Sequence, residues 1–233
     1  MDIKYYGHAC FEVIIGGKNL LFDPFISGNP LAASIDISAI KPDYILVSHG
    51  HQDHIADAAV IAKQSGATVI SNFEIINWLA NLGIKNGHPM NIGGKFSFEF
   101  GNVKFFNAVH SSVLPDGTYG GNPGGFLIQS PEGYFYYAGD TGLTYDMKLI
   151  GEYMAIDFAF LPIGNNFTMG VDNAIIASDM INCDKIIGMH YDTFPTILID
   201  KKEALEKFER TGKELILLNI GETYKFLKKP VIV

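Results

Sequence analysis

Three histidines and an aspartate stand within six positions of this chain, at His49, His51, Asp53 and His54. Neutral imidazoles and carboxylates are the side chains that zinc and similar divalent ions accept as ligands. A His-rich polar surface loop is the alternative, but the whole chain has only seven histidines, so this density would be unusual without a role. The cluster therefore predicts a metal site.

The neighbouring residues indicate how these side chains converge. Residues 44–47 form an apolar run that predicts a buried strand, and residues 53–64 predict a helix. The cluster then lies on the loop between strand and helix, where several side chains can point at one centre.

Three further ligand-type residues each follow a run typical of a β-strand. His110 follows residues 103–108, Asp140 follows residues 134–137, and His190 follows residues 185–189. Each is therefore expected on a loop at the edge of a sheet. Such loops commonly carry binding and catalytic residues.

The H-x-H-x-D-H pattern, with the order and spacing of His110, Asp140 and His190, resembles the metallo-β-lactamase superfamily. Within it, the chain is similar to small metal-dependent hydrolases such as the L-ascorbate-6-phosphate lactonase-like proteins. The residues alone predict a mixed α/β layered fold. The resemblance implies the specific fold, a four-layer αβ/βα sandwich, as one metallo-hydrolase domain over residues 1–233.

The resemblance also implies how the ligands are shared between two divalent ions. One ion would take His49, His51 and His110; the second would take Asp53, His54 and His190; Asp140 would bridge both. Zinc is the first expectation, and manganese, nickel or iron accept the same donors. A hydroxide bridging the two ions would be the nucleophile, with Asp53 as a catalytic group that holds it and relays its proton. The implied reaction is hydrolysis of a small ester, lactone or phosphoester.

Two other functions stay open. A single-iron oxygenase of the persulfide type has a similar signature, but it would leave Asp53, His54 and His190 partly unused. A non-catalytic metal-binding or regulatory protein on the same scaffold is the second alternative. The complete ligand set argues against it.

Residues outside the ligand set have two interpretations each. The resemblance brings His8 close to the metal site as a catalytic acid or substrate-binding group, whereas a structural histidine is the alternative. Asp23 either orients a ligating histidine or simply belongs to a turn. Asn166 and Thr168 are predicted to contact substrate, although a structural Asn/Gly loop fits equally well. We interpret His88 as a loop residue without a role in the site.

The composition limits the partners and the location. There are 17 basic and 25 acidic residues, a net charge of −8, which argues against nucleic-acid binding because that needs a basic surface. No apolar run is long enough for a transmembrane helix, and residues 1–6 lack the character of a signal peptide. We expect a cytoplasmic enzyme that acts on a small molecule without a membrane partner; a homo-oligomer is left open.

Several local signals predict further details of the fold. Gly16 and Gly17 predict a hairpin turn. Asp172 is predicted to cap a helix over residues 171–182, and Asp200 another helix that begins beside it. Cys10 and Cys183 are predicted to be buried and unpaired.

Overall fold

The computed structural model describes residues 1–228. In this part of the chain, a group of strands followed by strands alternating with helices occurs twice. The strands are β1 (Asp2–Gly7), β2 (Cys10–Ile15), β3 (Lys18–Phe22), β4 (Tyr44–Leu46), β5 (Thr68–Asn72), β6 (Gly87–Met90), β7 (Lys95–Phe98), β8 (Gly101–Asn107), β9 (Gly124–Ser130), β10 (Gly133–Tyr137), β11 (Phe158–Pro162), β12 (Lys185–Met189), β13 (Glu214–Ile216) and β14 (Thr223–Lys225). The helices are α1 (Gln52–Ile55), α2 (Ala58–Ser65), α3 (Phe73–Asn81), α4 (Met147–Tyr153), α5 (Val171–Met180) and α6 (Lys201–Arg210).

Within residues 1–228, the strands form two mixed sheets of seven strands each. The first sheet has the order β14-β1-β2-β3-β4-β5-β6, and the second has the order β13-β12-β11-β10-β9-β8-β7. In each sheet a set of antiparallel strands leads into a set of parallel strands, from β3 to β6 and from β10 to β13. Parallel strands place their carboxyl ends at one edge, which is where ligands bind in such sheets.

The two sheets pack face to face through aromatic side chains. The ring centroids of Phe11 and Phe160 are 4.7 Å apart, and those of Phe22 and Tyr137 are also 4.7 Å apart. These rings belong to one apolar core that both sheets share. Because side chains alternate along a strand, the residues between them lie on the outer faces.

Helices cover the outer faces of both sheets. On the first sheet, Ile45 and Val69 pack in a second apolar cluster with Ile61 of α2 and Ile75 of α3. Helices α5 and α6 contact β11 and β13 of the second sheet, and α4 packs beside α5. The predicted four-layer αβ/βα sandwich is therefore confirmed.

Three local predictions were wrong. The helix predicted over residues 53–64 is broken between α1 and α2, because the buried Asp57 carboxylate accepts hydrogen bonds from the Ile26 and Ser27 amides, at 2.6 and 2.9 Å. Asp172 does not cap α5: the cap position is Gly170, and Asp172 lies 2.9 Å from the Lys207 ammonium instead.

His88 is the third correction, since it lies in strand β6 rather than in a loop. It pairs with Ile70 of β5, and its ring packs on Phe96 at 4.2 Å between centroids. The proline that follows it, Pro89, is compatible with this position because β6 is an edge strand.

Other local predictions are confirmed. Gly16 and Gly17 form the turn between β2 and β3 with φ of 59° and 73°. The Asp200 carboxylate accepts the Glu203 amide at 3.0 Å and caps α6. Cys10 and Cys183 are buried free thiols. None of the helices in residues 1–228 combines the length and the apolar character needed to cross a membrane.

Candidate metal centre

All seven predicted ligands lie close together at one edge of the two sheets. His49 and His51 follow β4, and Asp53 and His54 lie on α1. His110 follows β8, Asp140 follows β10 and His190 follows β12. The site therefore draws on both sheets, and its side chains come from loops that the rigid strands hold in place.

The first group consists of His49, His51 and His110, whose ligand-type nitrogens all lie within 4.8 Å of one another. The Nδ1 atom of His51 is 3.0 Å from Nε2 of His49 and 3.2 Å from Nε2 of His110. A neutral imidazole carries one proton, so shared hydrogens cannot satisfy every one of these nitrogens. These three residues would hold one cation, which would satisfy all three nitrogens.

The second group consists of Asp53, His54, His190 and also His8. The Asp53 Oδ2 atom is 3.1 Å from Nε2 of His8, 3.8 Å from Nε2 of His190 and 4.0 Å from Nε2 of His54. Sequence reasoning kept His8 out of the ligand set. The structure brings its imidazole within the same cluster of donor atoms.

Asp140 lies between the two groups. Its Oδ2 atom is 2.9 Å from Nε2 of His190, 3.3 Å from Nε2 of His54 and 3.5 Å from Nε2 of His110. Its other oxygen, Oδ1, is buried without a hydrogen-bond partner, and so is Nε2 of His54. Buried polar atoms are normally paired. Unpaired acceptors at the meeting point of two ligand groups fit bound cations.

The buried carboxylate of Asp23 orients two of these histidines through their Nδ1 atoms, directly at His54 and through Ser48 at His49. Nδ1 of His54 donates to Asp23 Oδ2 at 2.8 Å, which leaves Nε2 of His54 free to bind a cation. Ser48 Oγ donates to the same oxygen at 2.6 Å and accepts from Nδ1 of His49 at 2.9 Å. The Tyr137 hydroxyl lies 2.8 Å from the same oxygen. Asp23 thus orients histidines of both groups, as carboxylates do behind metal ligands.

The ionisation states suit cation binding. Burial lowers the pKa of His49 well below its usual range, and burial also lowers the pKa of His51 and His110, so these imidazoles are neutral. Burial disfavours an ionised Asp140, but His190 and His54 outweigh it and hold the pKa of this carboxyl well below its usual range. Neutral imidazoles and ionised carboxylates are the forms that bind metals.

His8, Asp53 and His54 extend this electrostatic pattern. Burial lowers the pKa of His8 to about 4. Burial disfavours the charged form of Asp53, but the hydrogen bond from His8 and the charge of His54 lower its pKa below the usual range. Burial also disfavours charged His54, yet Asp140 and Asp23 outweigh it and raise its pKa well above the usual value. The carboxylates thus favour positive charge at this point, which a cation supplies.

The backbone at the site adopts conformations that few residues tolerate. His8, Asp23 and His190 have positive φ angles of 56°, 39° and 56°. The amide of His190 donates to the carbonyl of His8 at 2.9 Å, so the two histidine turns hold each other. A side chain at Gly164 would place its Cβ 2.1 Å from the His190 carbonyl oxygen, so only glycine fits beside this turn. Backbone strain of this kind is typical of functional sites.

The loop 164–170 carries Asn166 and Thr168, the two residues predicted to contact substrate. Asn166 is exposed with φ of 59°, and the Thr168 hydroxyl lies 3.3 Å from the Met169 carbonyl of its own loop. The residue between them, Phe167, faces a cavity beside Asp53. Contact of Asn166 and Thr168 with substrate therefore stays a prediction.

Sequence reasoning missed several residues that support the site. Ser48 and Tyr137 bond to Asp23, and Thr193 Oγ1 lies 2.9 Å from Nδ1 of His8. Each stands within a few positions of a predicted ligand, which was the available signal. The rings of Phe25 and Phe194 pack on His8 at 5.6 and 5.5 Å between centroids, and no local motif marks them.

Comparisons with known proteins agree with this geometry. The sequence profile described as β-lactamase superfamily domain matches residues 18–191. A UPF0173 metal-dependent hydrolase of Flavobacterium johnsoniae is 56% identical over 96% of this chain and 99% of that protein. One from Methylacidiphilum infernorum is 53% identical over the same shares.

A solved structure is also similar over nearly its full length. Igni18, described as a novel metallo hydrolase from the hyperthermophilic archaeon Ignicoccus hospitalis, is 34% identical and superposes with a TM-score of 0.86. The alignment covers 97% of this chain and 98% of that one. The chain therefore belongs to the β-lactamase superfamily, within the metal-dependent hydrolases called UPF0173. The predicted family is confirmed.

Proposed function

We propose that this metal-dependent hydrolase binds two divalent cations and cleaves a small ester, lactone or phosphoester. The observation that carries the proposal is the position of Asp140 Oδ2, within 3.5 Å of His110 from the first group and of His54 and His190 from the second. Bound cations of the zinc type would supply an activated water at neutral pH and positive charge for the developing oxyanion. Zinc is the first candidate, and manganese, nickel and iron are the others.

The chain's own residues hold and prepare this site. His49, His51 and His110 are the proposed ligands of one cation, and Asp53, His54 and His190 those of the other, with Asp140 shared. Asp23 keeps Nδ1 of His54 protonated, so Nε2 presents a lone pair to the centre. Asp53 is the partly exposed carboxylate of the site, with 27% of its side chain accessible, and can take a proton from water.

His8 has a supporting catalytic role in this proposal. Its Nε2 atom lies 3.1 Å from Asp53 Oδ2, and its other ring nitrogen lies 2.9 Å from the Thr193 hydroxyl. The imidazole is thus held from both sides and can pass a proton to or from Asp53. Asn166 and Thr168, on either side of Phe167, remain proposed substrate contacts.

The wider assignments are also proposals. A core shared by both sheets supports a single domain over residues 1–233. The two buried free thiols suit the reducing cytoplasm. The acidic net charge of −8 supports a small-molecule substrate rather than nucleic acid. The complete second ligand group disfavours the single-iron oxygenase.

The experiment begins with metal analysis of protein purified without chelator. Metal-loaded and chelator-treated protein are then assayed on p-nitrophenyl esters, lactones and a phosphodiester. Turnover that requires metal, and that Asp140→Asn abolishes, supports the proposal. A metal-loaded protein that hydrolyses none of these compounds contradicts it.

A further inference from the structure

A cavity of about 630 Å³ opens beside Asp53. Its volume lies within the range of ordinary small-molecule pockets. Three phenyl rings, those of Phe25, Phe167 and Phe194, form much of its wall. Because Asp53 belongs to both the cavity and the second ligand group, whatever occupies the cavity lies against the proposed metal centre.

Two of the rings are fixed relative to the site. Phe25 and Phe194 both pack against the imidazole of His8 in T-shaped geometry, at 5.6 and 5.5 Å between centroids. A side chain at Gly28 would bring its Cβ to 2.5 Å from the Phe25 ring, so glycine at this position leaves room for the ring. The apolar wall is therefore built into the site.

The third ring, Phe167, is 56% exposed. The ends of its loop are tied together, since the Asn165 amide donates to the Met169 carbonyl at 3.0 Å. The Met169 amide in turn donates to the carbonyl of Thr141, which follows Asp140, also at 3.0 Å. When an apolar ligand covers an exposed aromatic ring beside a polar centre, the free energy of the complex falls because the apolar surface of the ring leaves water.

In the described part of the chain, the protein wall of the cavity offers no cationic side chain to an anionic substrate group. Asp53 is its one ionisable side chain, and no lysine or arginine lines it among residues 1–228. Phosphate groups are usually bound by such cations or by helix N-termini. A smaller cavity on another side of His8, about 260 Å³, includes Lys201, but its ammonium is 3.0 Å from the Asp192 carboxylate.

We propose that this cavity binds the apolar acyl group of a neutral carboxylic ester, with an alkyl chain or an aromatic ring packed against Phe25, Phe167 and Phe194. The inference rests on the proposed function and narrows its substrate class. In the reaction, the oxygen of water bonds to the carbonyl carbon and the acyl carbon–oxygen bond breaks. One proton leaves with the alcohol, and the other stays with the carboxylic acid until it ionises.

The first test varies only the acyl chain. The metal-loaded full chain is assayed with p-nitrophenyl acetate, butyrate and hexanoate, which share one leaving group. We expect kcat/KM to rise about tenfold or more from acetate to hexanoate, because added methylenes enter an apolar pocket. Bis(p-nitrophenyl) phosphate should be a poorer substrate than the hexanoate.

The second test removes the exposed wall. Phe167→Ala should lower kcat/KM for the hexanoate about tenfold and leave the acetate nearly unchanged. Phe73→Ala is the matched control, because this ring is 54% exposed on α3 and does not line the cavity. Its chain-length profile should equal that of the wild type. Melting temperatures of both variants verify that they fold.

The outcomes separate this inference from the proposed function. Equal kcat/KM for the three esters, faster cleavage of the phosphodiester, or the same profile for Phe167→Ala and Phe73→Ala would each overturn the acyl-binding cavity and leave a metal-dependent hydrolase. A metal-loaded protein that cleaves none of the four compounds overturns the acyl-binding cavity, and one that also cleaves no lactone overturns both.

Discussion

Replacing Asp23 by asparagine should weaken metal binding at both ligand groups, although Asp23 is not itself a proposed ligand. Its Oδ2 atom accepts from Nδ1 of His54 at 2.8 Å and from the Ser48 hydroxyl at 2.6 Å. The Oδ1 atom accepts the Ser48 amide at 2.7 Å. An asparagine of the same shape must turn its NH₂ group toward one of these donors, and it loses the negative charge.

The size of the effect follows from these contacts. Loss of a carboxylate that orients a ligating histidine typically costs 10–100-fold in metal affinity, or roughly 1.4–2.8 kcal/mol. Asp23 orients His54 directly and His49 through Ser48, so both binding steps should weaken by about this factor. Ser48→Ala removes only the link to His49, and should weaken the step at the first group alone.

Competition with a chromophoric chelator measures both affinities. Asp57→Asn is the matched control, since Asp57 is also buried and accepts two backbone amides, from Ile26 and Ser27, but is not among the site's grouped donor atoms. It should lower the melting temperature without changing metal affinity. Wild-type affinity in Asp23→Asn, or an equal loss in Asp57→Asn, would refute the reasoning.

Three further predictions concern the metals, Asp140 and His8. Protein purified without chelator should hold about two transition-metal ions per chain. At a free metal concentration about 100 times the Kd, each bound ion should add about 2.7 kcal/mol to the free energy of unfolding. No binding after reconstitution would contradict the dinuclear site. Asp140→Ala should lower kcat at least ~100-fold with the fold retained, whereas His88→Ala should keep wild-type kcat because His88 packs on Phe96; similar losses in both would mean that the ligand assignment is wrong. His8→Ala should lower kcat/KM about 100-fold with unchanged metal content, measured by elemental analysis; loss of metal would make His8 a ligand instead.

The loop positions of the proposed ligands were predictable because each is marked locally in the sequence. His110, Asp140 and His190 each come one to three residues after an apolar run, and the strand that precedes each is found within a residue or two of its predicted bounds. The alternation of strands and helices was also local, so the layered fold followed from it. The sequence pattern could not predict contacts between side chains that are far apart in the chain.

Asp57 and Phe194 show why other features of the fold and the site could not be predicted from the sequence. Residues 53–64 have a continuous helical pattern, but the helix breaks at Asp57, whose carboxylate accepts the distant Ile26 and Ser27 amides and whose own amide donates to the Pro24 carbonyl. The apolar cavity needs Phe25, Phe167 and Phe194 from three separate loops, and no periodicity links them. Likewise, the Gly87-His88-Pro89 segment looks like a loop because its pairing with β5 depends on tertiary structure.

The pairing of β1 with β14 sets the order in which the site can be completed during synthesis. Strand β1 leads directly to His8, and it is held on one side by β14, where Ile3 faces Tyr224. The Gly221 amide adds a hydrogen bond of 2.7 Å to the Tyr5 carbonyl. A growing chain is made from its N-terminal side, so β1 emerges long before β14 exists to pair with it. The histidines around position 50 are thus made early, whereas the His190 amide that donates to the His8 carbonyl, and the strand β14 that flanks β1, are made much later.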